Sequence, residues 1–106
     1  MIRIIEYLDS NGRSAHARWL ESLNLETAAK VTEALYRLSQ GNFSKVKGLG
    51  SGLFERKIDF GPGYRIYFGK DGETLVIVLG GSSKQNQQEA IATAIRRWID
   101  YRRRAR

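Results

Sequence analysis

From residue 53 onward, apolar and polar positions alternate with a period of two. Phe54, Arg56, Ile58 and Phe60 point one way, and Glu55, Lys57 and Asp59 the other. Gly61-Pro62-Gly63 turns the chain. Tyr64, Ile66 and Phe68 then form a core face, with Arg65 and Tyr67 directed outward. Lys70-Asp71-Gly72-Glu73 carries the Asp-Gly hairpin signal. Thr74 to Leu79 is β-branched or Leu almost throughout, the pattern of a strand covered on both faces. Ile2 to Leu8 alternates more loosely and predicts an edge or half-buried first strand.

Helical periodicity occupies the intervening and final segments. Ser14 can cap a short helix to Leu23, with Ala15, Trp19, Leu20 and Leu23 on one face. Asn24 caps a second, in which Ala28, Val31, Leu35 and Leu38 form the stripe and Gly41 the stop. Residues 42–52, with Lys45, Lys47 and three glycines, read as a loop. Gly80-Gly81-Ser82-Ser83-Lys84 is expected to break the strand of Thr74 to Leu79, and a last helix follows with Ile91, Ala94, Ile95 and Trp98 as its stripe. The order β-α-α-β-β-β-α predicts one α+β domain over residues 1–106, a small, mainly antiparallel sheet packed on helices.

Composition narrows the function classes. The absence of Cys removes disulfides and thiolate chemistry and fits a reducing compartment. The N-terminus MIRIIEYLD lacks the apolar run of a signal peptide, and no stretch approaches the roughly 18 apolar residues of a membrane helix. The chain is therefore read as cytoplasmic, full length and without a membrane partner. The net charge of +7 favours a polyanionic partner, and the last eleven residues hold six Arg and one Asp.

The polar face of the three-strand meander is the candidate site. Glu55, Lys57 and Asp59 lie on one strand, Arg65 and Tyr67 on the next, and Lys84 just beyond the third. A sheet with one buried face can present the other as a rigid platform. Arg offers a planar fork for phosphate and Lys a compact charge, while Tyr67 is placed to stack on a base. The plainer alternative is that these charges form cross-strand pairs for stability alone. Lys45 and Lys47 read as loop charges open to backbone phosphate. The Arg102-Arg103-Arg104 run reads as a solvated tail, and Trp19 and Trp98 as core. His16 is the only histidine and reads as a surface residue, so a two-histidine nuclease mechanism is excluded. His, Asp and Glu show no ligand spacing for a metal, and no cofactor motif is present: Gly48, Gly50 and Gly52 precede a strand and lack the Gly-Lys-Ser/Thr ending of a phosphate loop.

The run LFERKIDFGPGYRIYFGKDGETLVIVLGGSSKQNQQEAIATAIRRWIDYRRR resembles the addiction-module killer proteins of the RelE/ParE toxin superfamily, in the HigB-like, phage-derived branch. The element order extends the resemblance over essentially the whole chain. It implies a RelE-like fold and the toxin of a type II toxin–antitoxin module. RelE and HigB toxins cleave mRNA in the ribosomal A site, whereas ParE toxins poison DNA gyrase without catalysis. Arg65 matches the RelE-type arginine of the Tyr-Arg step. Lys57 lies on the strand that carries the catalytic lysines, and Lys84 lies near a second basic residue after the last strand. The RelE-type C-terminal tyrosine has no equivalent, and Gln87 or Gln88 falls where it would be. Arg56 stands where relatives place an apolar residue. The implied partners are ribosome and mRNA, a cognate antitoxin of helix-turn-helix type that blocks the basic face, and, through it, operator DNA.

The chemistry expected is attack of the ribose 2′-OH on the adjacent phosphate, without metal. Arg65 stabilises the phosphorane, and Lys57 and Lys84 hold the phosphate or protonate the leaving group. Asp59, Glu55 or a lysine acidified by neighbouring cations serves as base. Tyr67, Arg56, Lys45 and Lys47 are the expected RNA contacts.

Overall fold

A computed structural model describes residues 1–105. The elements are β1 (Arg3–Glu6), α1 (Ala15–Glu21), α2 (Leu25–Ser39), β2 (Val46–Gly50), β3 (Leu53–Ile58), β4 (Tyr64–Asp71), β5 (Leu75–Ser83), a single 3-10 turn (Lys84–Asn86) and α3 (Gln87–Arg104). The two caps read from sequence form: Ser14 accepts from the Ala17 N–H and Asn24 from the Thr27 N–H.

The five strands make one mixed sheet in the order β1-β5-β4-β3-β2. β1 runs parallel to β5, and the remaining pairs are antiparallel. This gives an α+β domain with one more strand than the periodicity predicts. Residues 46–50, expected as loop, form β2 along the edge of β3. Their glycines hide the period because pairing is set by backbone hydrogen bonds, which need no side-chain alternation.

Helices cover both faces of the sheet. On one face Val31, Ala34 and Leu38 of α2 pack on Ile58, Ile66, Phe68, Val76 and Val78. On the other, Ala94 and Trp98 of α3 pack on Tyr7, Leu53, Tyr67, Ile77 and Leu79. Val76 to Leu79 are 0–1% exposed, as the unbroken apolar run requires. Ile95, expected in the α3 stripe, is 45% exposed.

A tryptophan rests on a glycine on each face. The six-membered ring of Trp19 lies where a Cβ on Gly81 would be, at 2.2–2.5 Å, and that of Trp98 does the same over Gly69, at 2.3–2.6 Å. Only a residue without Cβ admits such an approach. Polar anchors hold α3 down: Trp98 Nε1 donates to the Ser51 carbonyl at 2.7 Å, Arg97 to the Leu79 carbonyl at 2.9 Å, and the Tyr7 hydroxyl to Asp100 at 2.7 Å.

The expectation of a solvated meander face is corrected by α3. The face does carry Glu55, Lys57, Arg65 and Tyr67 together, but the helix lies across most of it. Tyr67 is 1% exposed, Glu55 5% and Arg65 8%.

Candidate functional site

The strand register explains what is gathered. Lys57 is the cross-strand partner of Arg65, and Arg65 of Ser82, giving one row across β3, β4 and β5. Glu55, Tyr67 and Gly80 form the row beneath it. Both rows share one face because alternate residues of a strand do. The lower row is buried under the start of α3. The upper row lies where β3 ends and the chain turns through residues 60–63. There Lys57, Asp59, Arg65 and Lys84 line a pocket of about 370 Å³, floored by the Gly61-Pro62-Gly63 turn. The Lys84 backbone N–H donates to the Gly63 carbonyl at 2.9 Å, which fixes the 3-10 turn against this wall.

Arg65 is held from behind. Its Nε lies 3.4 Å from Glu55 Oε1, and its Nη1 is 3.5 Å from the Tyr64 carbonyl. The Nε–H is buried and not aligned for a hydrogen bond with Glu55, so the pair is electrostatic. Gln87, the first residue of α3, donates its amide to Glu55 Oε2 at 2.8 Å. Glu55 is thus a positioning residue pinned by α3. The sequence offers Glu55 as a base and Gln87 as the stand-in for a tyrosine, but the contact between them depends on how α3 docks.

Lys57 and Asp59 are open to solvent. Asp59 pairs with Lys45 Nζ at 3.3 Å and with Lys57 Nζ at 3.6 Å. The hydrogen bond from Lys45, reinforced by the charges of both ammonium groups, holds the Asp59 carboxyl below the usual carboxylate range. It is therefore ionised and weakly basic. Lys45 joins the site through Asp59, and Lys47 lies in β2 opposite Glu55, outside the pocket lining.

Two expected RNA contacts are corrected by burial. Tyr67 cannot stack on a base: it lies under α3 with its hydroxyl 3.2 Å from Ser82 Oγ, and burial raises its pKa. Arg56 points into the opposite core, 4% exposed, and donates from Nη1 to the Lys57 carbonyl at 2.7 Å. Desolvation, then the nearby Arg37 charge, lowers its pKa. His16 is likewise buried rather than exposed, at 5%, with Nδ1 lacking a hydrogen-bond partner and its pKa lowered by desolvation.

A roomier cleft of about 460 Å³ lies at the opposite end of the sheet, between Ser51, Lys70, Trp98 and Arg102. Two of its donors share one acceptor. Trp98 and Arg102 both donate to the Ser51 carbonyl, and the Arg102 guanidinium sits 5.6 Å from the Trp98 ring centroid. That arrangement fastens α3 to the β2–β3 turn. Among the described residues, no group of three His, Cys, Asp or Glu side chains is placed to hold a metal ion, and no helix is long and apolar enough to cross a membrane.

No family model matches the chain. A protein of Haemophilus influenzae described as an uncharacterized protein is 42% identical over 77 residues, which cover 72% of this chain and 78% of the relative. Identity at that level over that length means common descent and a shared fold, and the chain belongs to the same family as this Haemophilus influenzae protein.

Proposed function

We propose that the protein is the toxin of a type II toxin–antitoxin module, with a RelE-like fold, and that it cleaves mRNA on the ribosome in the cytoplasm. The observation that carries this reading is the convergence of Lys57, Arg65 and Lys84 on one pocket at the end of the sheet. Three cations on strands and a pinned turn form a preorganised site for a phosphate whose charge grows during reaction. The resemblance of the Gly-Pro-Gly-Tyr-Arg-Ile-Tyr-Phe segment to RelE/ParE toxins points the same way.

In the proposed reaction the 2′-oxygen bonds to the adjacent phosphorus and the bond to the 5′-oxygen breaks. The products are a 2′,3′-cyclic phosphate and a 5′-hydroxyl. Arg65, held by Glu55, faces the phosphorane, and Lys57 neutralises a non-bridging oxygen. Lys84, at the opposite wall, gives a proton to the departing 5′-oxygen. Asp59 accepts the 2′-OH proton. Because its carboxylate is weakly basic, charge stabilisation and in-line orientation supply most of the acceleration. The ribosome holds the mRNA in the attacking conformation. A helix-turn-helix antitoxin covers the basic pocket and carries the complex to its operator DNA.

The test is primer extension on mRNA from cells shortly after induction, comparing wild type with Lys57→Ala/Lys84→Ala. Both lysines are exposed, so the variant folds. Codon-phased breaks in wild type, reduced by about 10²-fold or more in the variant, are expected. Intact mRNA with equal toxicity in both proteins refutes the endonuclease and directs attention to gyrase supercoiling.

A further inference from the structure

β5 outlasts its outer neighbour. β1 pairs with it only as far as Val78, so beyond that point its outer edge has no strand partner among the described residues. α1 flanks this edge from one face of the sheet and α3 from the other. The gap between them is a groove of about 540 Å³. Trp19 and Tyr64 supply aromatic walls, and Ser82, Asn86, Glu89 and Thr93 the polar rim. The volume falls within the roughly 300–1,000 Å³ of small-ligand sites.

The groove adjoins the cation pocket. Tyr64 and Ser83 are cross-strand partners lining the groove, and the next residue of each, Arg65 and Lys84, lines the pocket. The 3-10 turn divides them, with Lys84 on one side and Asn86 on the other. The two cavities differ in chemistry. One has three cations suited to phosphate. The other has no cation, two aromatic rings, uncharged donors and acceptors, and one carboxylate. A phosphate does not suit the second. A flat heteroaromatic ring with polar edges does, because any base stacks on an aromatic face.

We infer that the groove lined by Trp19, Tyr64 and Glu89 is a binding site for one unpaired RNA base, next to the phosphate held by Lys57, Arg65 and Lys84. The inference rests on the nucleic-acid reading of the pocket and names a second subsite. Glu89 sets its selectivity. A carboxylate only accepts hydrogen bonds, so it favours bases with an exocyclic amine and disfavours uracil, whose single ring N–H lies between two carbonyls.

The test titrates the isotope-labelled full chain with single-stranded 2′-O-methyl hexamers of adenine or uracil, which lack the attacking hydroxyl. The Trp19 indole N–H and the Gly81 and Ser83 amides are expected to shift, with the adenine oligomer binding at least ~5-fold more tightly. Glu89→Gln, at an exposed position, removes that preference. Trp19→Leu weakens binding by about 5- to 100-fold. Shifts confined to residues around Lys57 and Lys84, or a preference unchanged in Glu89→Gln, overturn the base site. Groove shifts without mRNA cleavage in cells sustain the base site and refute only the endonuclease.

Discussion

Arg65→Ala is the obvious variant for probing the candidate site, and the structure predicts that it removes more than a phosphate contact. Arg65 and Glu55 are 8% and 5% exposed, and the guanidinium is the only cation within 4 Å of the Glu55 carboxylate among the described residues. Deleting Arg65 leaves a buried carboxylate with the Gln87 amide as its remaining partner. Removing one member of a buried pair costs roughly 3–5 kcal/mol, against a total stability of about 5–15 kcal/mol for a domain of this kind. At about 4–8 °C per kcal/mol, the melting temperature falls by at least ~12 °C. Glu55→Gln removes the other charge while keeping the shape, so Arg65→Ala/Glu55→Gln is expected to recover at least ~2 kcal/mol of the loss. Urea unfolding followed by tryptophan fluorescence, on wild type, both single variants and the double, closes the cycle. A single Arg65→Ala within ~1 kcal/mol of wild type, or additive single effects, would refute the buried-pair reasoning. The cycle also separates chemistry from folding: if the double variant regains stability yet leaves mRNA uncut, while Glu55→Gln alone still cleaves, Arg65 acts on the substrate.

Gly69→Ala and Gly81→Ala each place a methyl group inside a tryptophan ring, so each destabilises by at least ~1–3 kcal/mol in thermal unfolding. An alanine tolerated at both positions would contradict the packing of Trp98 and Trp19. Tyr67→Phe removes one buried hydroxyl contact, costs about 0.5–1.5 kcal/mol, and leaves mRNA cleavage unchanged. A large loss of cleavage in a stable Tyr67→Phe protein would restore it to the site. His16 is buried with a lowered pKa, so the unfolded chain binds a proton that the folded one refuses as pH falls through about 6.5. The native state therefore loses stability on acidification, at no more than about 1.4 kcal/mol per pH unit. His16→Met is expected to flatten the pH dependence of urea unfolding between pH 7 and 5, and an identical slope in the variant removes His16 as its cause.

Local signals alone determine much of this protein. The Ser14 and Asn24 caps, the turn at residues 61–63, the Asp-Gly hairpin and the apolar run that begins β5 are written in short-range chemistry, and all form; the expected break at Gly80 does not, because pairing with Tyr64 to Tyr67 of β4 carries the strand on to Ser83. So is the face shared by Glu55, Lys57, Arg65 and Tyr67, because strand alternation is a property of the backbone. What alternation does not state is what covers a face. The face read as solvated is roofed by α3, whose docking depends on Trp98 meeting Gly69 and on anchors 18 to 93 residues apart in the chain. That roof separates Tyr67 and Glu55, buried as support, from Lys57 and Asp59, which emerge beyond its end. It also turns Gln87 toward Glu55. The strand at residues 46–50 and the groove beside Trp19 belong to the same class: one is made by an edge that accepts hydrogen bonds, the other by a strand longer than its neighbour. Sequence periodicity assigns side chains to faces through bond geometry. Whether a charge on that face meets water, a partner or the underside of a helix is decided by contacts between distant residues.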